Sequence, residues 1–212
     1  MRKIVAITAA LAVAGFLGLS WWMTRGGPED AFAQCRQTSV GTGTASIGGP
    51  LSLIDENGKP VTDKDIFTKP TLLYFGYTFC PDVCPADNAR NAEALDILLG
   101  DGYDAQMAFI SIDPERDTPE RLRDFTDYLH PQALGFTGSM EQIRAASQAY
   151  KTYFRKQEGG DPDYYLIDHS TFTYLVLPEI GFVEFFRRDT TPEDMARRTE
   201  CFIEAARQAA GK

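Results

Sequence analysis

Two cysteines four positions apart, each followed by proline, stand in the stretch GYTFCPDVCP from Gly76 to Pro85. Cys80 and Cys84 can form a static disulfide, a redox couple or two ligands of a metal ion. A static staple explains little, because the benefit of a crosslink grows with the length of the loop it closes and this loop is very short. The spacing places both side chains on one face of a helical turn, near enough to chelate one ion or to close a disulfide. If a helix begins within PDVCP, both sulfurs lie near the positive end of its dipole, which favours thiolate. Pro85 is expected to open that turn locally.

The elements that must position the pair are readable around it. TLLYFGYTF, residues 71–79, is a β-branched and aromatic run that reads as a buried strand leading straight into the cysteines. The segment after them has helical spacing at Ala89, Ala92, Leu95, Leu98 and Leu99, with Gly100 as a stop. AQMAFISID is a second buried strand, and DTPERLRDFTDYL a helix capped by Thr118 with Pro119 at its first position. Ser139 and Gln142 open another helix as a capping box. STFTYLVL and FVEFFRR are strands joined through PEIG, and a last helix starts after Thr191. Upstream, LSLIDENGKPVT gives two short strands around Asn57-Gly58, a hairpin turn signal. This order implies an α/β domain with a mixed sheet covered by helices on both faces. A cysteine pair at the end of the first central strand points to a thioredoxin-like fold. Redox pairs of that fold usually have two intervening residues, and here there are three.

Only two histidines occur in the chain. His130, in YLHPQ at a helix end, reads as a C-terminal cap favoured by the dipole and receives no further role. His169, in YYLIDHS, stands just before a predicted strand, and the loop there approaches the cysteine face in thioredoxin-like folds. Two soft thiolates and one imidazole make a ligand set for copper, with zinc as the competitor. A structural zinc site would want a fourth protein ligand.

At the N-terminus, Ile4 to Met23 is a run of twenty uncharged, mostly apolar residues, long enough to span a bilayer as a helix. Arg2 and Lys3 precede it, which places the long remainder outside the cytoplasm. AFA at Ala31–Ala33 has the pattern of a signal-peptidase site, but it lies far beyond the apolar run, and Gln34 separates it from Cys35. The segment is therefore read as an uncleaved anchor over residues 1–24. A flexible Gly/Ser/Thr/Pro linker follows over 25–46, and the folded domain over 47–212. In 212 residues, 43% of them hydrophobic, there is room for one well-buried core. The net charge is −9; residues 1–33 hold three basic and two acidic groups, so the remainder carries −10. Such a surface repels nucleic acid and suits solubility or a basic partner surface. Cys35 and Cys201 lie outside all these segments. Met195, Phe202 and Ala206 share the apolar face of the last helix, leaving Cys201 to one side, and a Cys35–Cys201 disulfide is expected to tie the linker to that helix.

YFGYTFCPDVCP, SIDPERDTPERL and YLIDHS resemble, in order and spacing, the three signature segments of the Sco/SenC family of copper-binding cytochrome oxidase assembly proteins. The likeness runs from about Gly48 to the last helix. It implies a thioredoxin-like domain that binds one copper, as Cu(I) or Cu(II), through Cys80, Cys84 and His169. It also implies work on the binuclear copper centre of cytochrome c oxidase subunit II, as copper donor or as reductant of that subunit's cysteines through a redox-active Cys80/Cys84 pair. Implied partners are that subunit, an exported thiol reductase and an upstream periplasmic copper chaperone, with the protein in the bacterial inner membrane facing the periplasm. Asp168 beside the histidine, and Asp113 and Arg116 in SIDPERD, match family positions expected to shape the site; the plainer alternative is a turn and a surface ion pair. A peroxidase of related fold is disfavoured, because Thr78 stands two rather than three residues before Cys80.

Overall fold

The structure, a computed structural model, describes residues 13–21, 30–37, 47–159 and 164–211. The chain divides into two compact units, Met1–Gln34 and Cys35–Lys212. In the first, residues 13–21 form a helix, α1, with exposed Val13, Phe16, Leu17 and Leu19. No helix among the described residues is long and apolar enough to cross a membrane. The span expected over 4–23 lies, apart from those nine residues, outside the described residues.

The second unit is built on a seven-stranded mixed sheet in the order β2-β1-β5-β4-β3-β8-β9. β1 (Ser52–Asp55) and β2 (Pro60–Thr62) form the expected hairpin, with Gly58 at a φ of +77° supplying the turn conformation that L side chains resist. A one-turn helix α2 (Asp63–Ile66) leads to β3 (Thr71–Gly76) at the centre of the sheet. All six residues of β3 are buried, which is why the stretch is continuously apolar rather than alternating. β4 (Gln106–Ser111) pairs with β3 in parallel, and β8 (Thr173–Leu177) pairs with it antiparallel on the other side. β9 (Gly181–Phe186) closes that edge.

The 3.6-residue and two-residue periods decide what covers each face. Tyr74 points to the side of α3 (Val83–Gly100), where its hydroxyl meets Asp87 at 2.9 Å. Phe75 points the other way, its ring 5.6 Å from that of Tyr150, just past α5 (Met140–Ala149). α6 (Pro192–Ala210) packs beside α3, and α4 (Pro119–Leu129) beside β5 (Ala133–Thr137). The expected caps are present: Thr118, Ser139 and Thr191 hydroxyls accept from the backbone N–H of Arg121, Gln142 and Asp194.

Three strands were not legible. β5 is a short run behind α4, and β6 (Phe154–Lys156) with β7 (Ile167–His169) forms a separate two-stranded hairpin. His169 thus lies within a strand of its own, rather than in the loop expected before the sheet strand. The apolar face expected on α3 is also corrected in its first half. Ala89 is exposed, and the buried positions are Cys84, Asp87, Asn88 and Asn91 before Ala94, Leu95 and Leu98 take over. Pro85 does not open the helix; it lies in the first turn, where the missing N–H would have had no partner inside the helix.

Cys35 is bridged to Cys201 of α6, as expected. Arg36 donates to the Val183 carbonyl at 2.8 Å, and the Gln37 amide to Glu184 at 3.3 Å. Residues 35–37 therefore belong to the folded unit, within the stretch read as a free linker. The bridge closes a chain separation of 166 residues, the regime in which loop entropy contributes most. Replacing both cysteines by serine is expected to lower the unfolding free energy by about 2–4 kcal/mol in a urea titration, and a change below about 0.5 kcal/mol would contradict this origin of the stabilisation.

Candidate metal centre

Cys80, Cys84 and His169 come together at the end of β3. Their sulfur and ring-nitrogen atoms all lie within 4.8 Å of one another, and no other group of three or more such residues could hold a metal ion among the described residues. Cys84 is in the first turn of α3, and its backbone N–H donates to Cys80 Sγ at 3.3 Å. The sulfur thereby satisfies one of the helix's orphan donors, with no side-chain cap from Asp82. The close fit of α3 against β3 depends on Gly76: a Cβ there would lie 3.0 Å from Cys84 Sγ and 2.9 Å from the Tyr74 ring.

The two thiols are not equivalent. Cys80 is pulled down to about 3, chiefly by a hydrogen bond from Cys84, with help from His169 and from backbone amides at the helix start. Cys84 is pushed up, first by that same hydrogen bond to Cys80 and then by burial. The metal-free pair thus holds one thiolate, on Cys80, and one thiol, on Cys84. This suits the positive end of α3, which stabilises one negative charge at its first turn.

His169 Nε2 lies 3.3 Å from Cys84 Sγ, and its Nδ1 lies 2.8 Å from the Ser170 carbonyl. A carbonyl can only accept, so Nδ1 carries a proton, and Nε2 is the ring atom that faces the sulfurs. Asp168 does not perform this orienting role. Its carboxylate accepts from Gln157 at 2.7 Å and approaches Arg155 at 3.6 Å on the exposed face of the hairpin, because adjacent strand residues point to opposite sides. His130, as expected, is a helix cap: it follows α4, with Nδ1 accepting from the Gln132 amide at 2.9 Å and Nε2 3.2 Å from Asp96.

Asp113 and Arg116 do support the site, and as a buried pair rather than a surface one. Arg116 Nε meets Asp113 Oδ2 at 2.5 Å, and the Tyr165 hydroxyl donates to Asp113 Oδ1 at 2.6 Å. The Arg116 guanidinium lies 3.5 Å from the Tyr165 ring centre and 4.7 Å from that of Phe79. Arg121 takes the same ring of Phe79 at 4.6 Å, and Lys156 that of Tyr165 at 3.4 Å. Phe79 adjoins Cys80, and Tyr165 leads into the strand of His169, so this cation–aromatic stack links the cysteine loop to the histidine hairpin. A second link is the Ile167 amide, which donates to the Tyr77 hydroxyl at 3.2 Å.

The Thr78 hydroxyl donates to Asp117 at 2.6 Å, so it is engaged in holding the loop rather than free for peroxidase chemistry. Asp117 accepts from Ser111 as well, at 2.6 Å; burial pushes its carboxyl up against these hydrogen bonds. Gly76, Tyr77, Phe79, Asp117 and Tyr165 were missed as site residues. Asp117 and Tyr165 lie in or beside the segments SIDPERD and YLIDH, which is the one sequence signal that could have found them.

A thioredoxin-like domain with two cysteines and a histidine converging at the end of its central strand defines a protein that can hold a soft metal ion or exchange disulfides. The SCO1/SenC family model matches residues 39–204, and the chain belongs to that family. Protein SenC of Rhodobacter capsulatus is 48% identical over 204 residues, covering 96% of this chain and 91% of that protein. Arabidopsis thaliana ScoI with copper bound matches with a TM-score of 0.69 at 40% identity, covering 77% of this chain and 99% of its own. Yeast Sco1 with copper bound matches with a TM-score of 0.71 at 33% identity, covering 79% and 95%.

The asymmetry of the thiols is open to direct measurement. In the reduced, metal-free protein, iodoacetamide is expected to alkylate Cys80 first, at a rate flat between about pH 5 and pH 8, because its thiolate is fully formed there. A rate that climbs about tenfold per pH unit over that range would show two ordinary thiols.

Proposed function

We propose that the chain is a membrane-anchored copper chaperone that carries one copper ion on Cys80, Cys84 and His169. It hands that ion to the binuclear copper centre of cytochrome c oxidase subunit II. The observation that carries this reading is the convergence of two sulfurs and one imidazole nitrogen within 4.8 Å, with Nε2 of the imidazole already turned inward. Two thiolates satisfy Cu(I), and the imidazole lets the same pocket take Cu(II). The copper-bound Arabidopsis and yeast relatives support copper over zinc. Pro81, Asp82, Pro85 and Ala86 around the pair are exposed, so an acceptor's own ligands can approach the open position.

The apolar run from Ile4 to Met23 and the two preceding basic residues support a single-pass anchor in the bacterial inner membrane with the domain in the periplasm. Copper binding needs both sulfurs free, so an exported thiol reductase is a required partner, and an upstream periplasmic copper chaperone is the natural source of cargo. The charge of −9 argues against nucleic acid.

The low Cys80 value favours a second reading, reduction of the cysteines of subunit II. The Cys80 thiolate would attack the partner disulfide, releasing one partner thiolate and forming a mixed disulfide. Cys84, its proton passing to the partner thiolate already released, would then displace the second, leaving a Cys80–Cys84 disulfide that carries the two electrons' worth of oxidation.

The two readings part at the histidine. His169→Ala and Cys80→Ser are compared for copper content and for oxidase activity in cells. A chaperone loses oxidase activity in both variants, with copper content reduced in each and partial rescue by added copper. Normal oxidase assembly in His169→Ala, with none in Cys80→Ser, would establish the dithiol reductase and make copper incidental.

A further inference from the structure

The first two turns of α3 bury Asp87, Asn88 and Asn91, where a helix packed for stability alone would bury apolar side chains. Asp87 is 3% exposed. Its carboxylate accepts from the Tyr74 hydroxyl at 2.9 Å and from Arg188 Nε at 3.2 Å, and Arg90 lies 3.6 Å away. A buried ion pair of this kind is poor evidence of stabilisation, since desolvation offsets much of the attraction. Its place in the fold is informative. Asp87 stands three residues beyond Cys84, about one helical turn. The Tyr74 ring meets the His169 ring edge-on with centroids 6.2 Å apart. The same ring and Cys84 Sγ crowd the one position, Gly76, that has no side chain. Tyr74 is thus a floor shared by two of the three candidate ligands, and its hydroxyl is anchored by donation to Asp87.

We propose that Asp87, gripped by Arg188 and Arg90, is a positioning residue for the metal centre, acting through Tyr74 to fix the seats of Cys84 and His169. The inference rests on the copper reading of the site given above. The phenol is fully buried, so without the carboxylate its O–H must turn toward another acceptor or stay unpaired. Either outcome frees the Tyr74 ring from its anchor, and that ring, with Tyr77, is what His169 packs against. Loss of the carboxylate also removes the ion-pair partner that Arg90 and Arg188 share, one helical turn from Cys84. Arg188 follows β9 and its side chain is 47% exposed, so the network runs from the surface to the underside of the site.

The test uses the full chain as wild type, Asp87→Leu, Tyr74→Phe and the double variant. Tyr74→Phe removes the O–H and keeps the ring, so it carries the comparison even where Asp87→Leu fails to fold. Three quantities are read: Cu(I) affinity against a competing chelator, the sulfur-to-Cu(II) charge-transfer band, and the His169 imidazole resonances of the reduced, metal-free protein. Each single variant is expected to weaken Cu(I) binding about ten- to a hundredfold, to shift the band and to move the His169 resonances. The double variant is expected to be no worse than the stronger single one, because both act through one hydrogen bond. If the wild type binds copper while affinity, band and resonances in the variants match it, Asp87 is only structural, whatever happens to the melting temperature. If the wild type binds no copper, the copper reading fails by itself. The metal-free His169 resonances then decide the positioning role alone, moved in both singles if it holds and unmoved if it does not.

Discussion

A Cβ on residue 76 would sit 3.0 Å from Cys84 Sγ, so the first turn of α3 can press against the end of β3 only because Gly76 has no side chain. The rest of the metal edge depends on that contact. It brings the positive end of an eighteen-residue helix to the tip of the central strand. It also lets the Cys84 amide reach the Cys80 sulfur, and seats Cys84 beside Tyr74, against whose ring His169 rests. With any larger residue the Tyr74 ring, the Phe109 ring or Cys84 Sγ must give way, which disturbs the seat of that sulfur. A spacing of three intervening residues fits this geometry, since it places one cysteine ahead of the helix as its cap and the other inside its first turn.

Two kinds of restraint then hold the halves of the site in register. On one side a cation–aromatic stack through Arg121, Phe79, Arg116, Tyr165 and Lys156 joins the cysteine loop to the strand of His169. On the other, the buried carboxylates Asp113 and Asp117 tie the loop after β4 to Tyr165 and Thr78. The histidine hairpin is not hydrogen-bonded into the main sheet, so these side chains and the Tyr77–Ile167 contact are what place His169 over the sulfurs. The electrostatic consequence is one thiolate and one thiol side by side, with the imidazole Nε2 turned toward them.

The convergence of Cys80, Cys84 and His169 was legible because cysteine and histidine are scarce and chemically distinct, and because the strand leading into Cys80 is buried on both faces. The caps at Thr118, Ser139 and Thr191 were legible for a local reason: a hydroxyl and a backbone N–H three residues apart in sequence need nothing else to meet. The α3 face was misread because periodicity counts apolar residues, whereas this helix buries Asp87 against partners on β3 and beyond β9, and Asn91 against Thr173 of β8. Those partners are distant in sequence, and no local pattern reveals them. β5, β6 and β7 were missed for a related reason, since strands of three to five residues take their identity from the neighbour they pair with. Asp168 was over-read: adjacency to His169 in sequence means opposite faces in a strand.

The central claim is that one metal ion is held by two sulfurs and one nitrogen of a single chain. X-ray absorption at the copper edge, on the full chain loaded with one equivalent of Cu(I), tests it most directly. The account predicts a first shell of two sulfur scatterers and one nitrogen, with no second copper nearby. A shell of three or more sulfurs with a short copper–copper distance would mean a cluster shared between chains, and a shell of nitrogen and oxygen alone would mean that the cysteines are not ligands; either result would contradict the account.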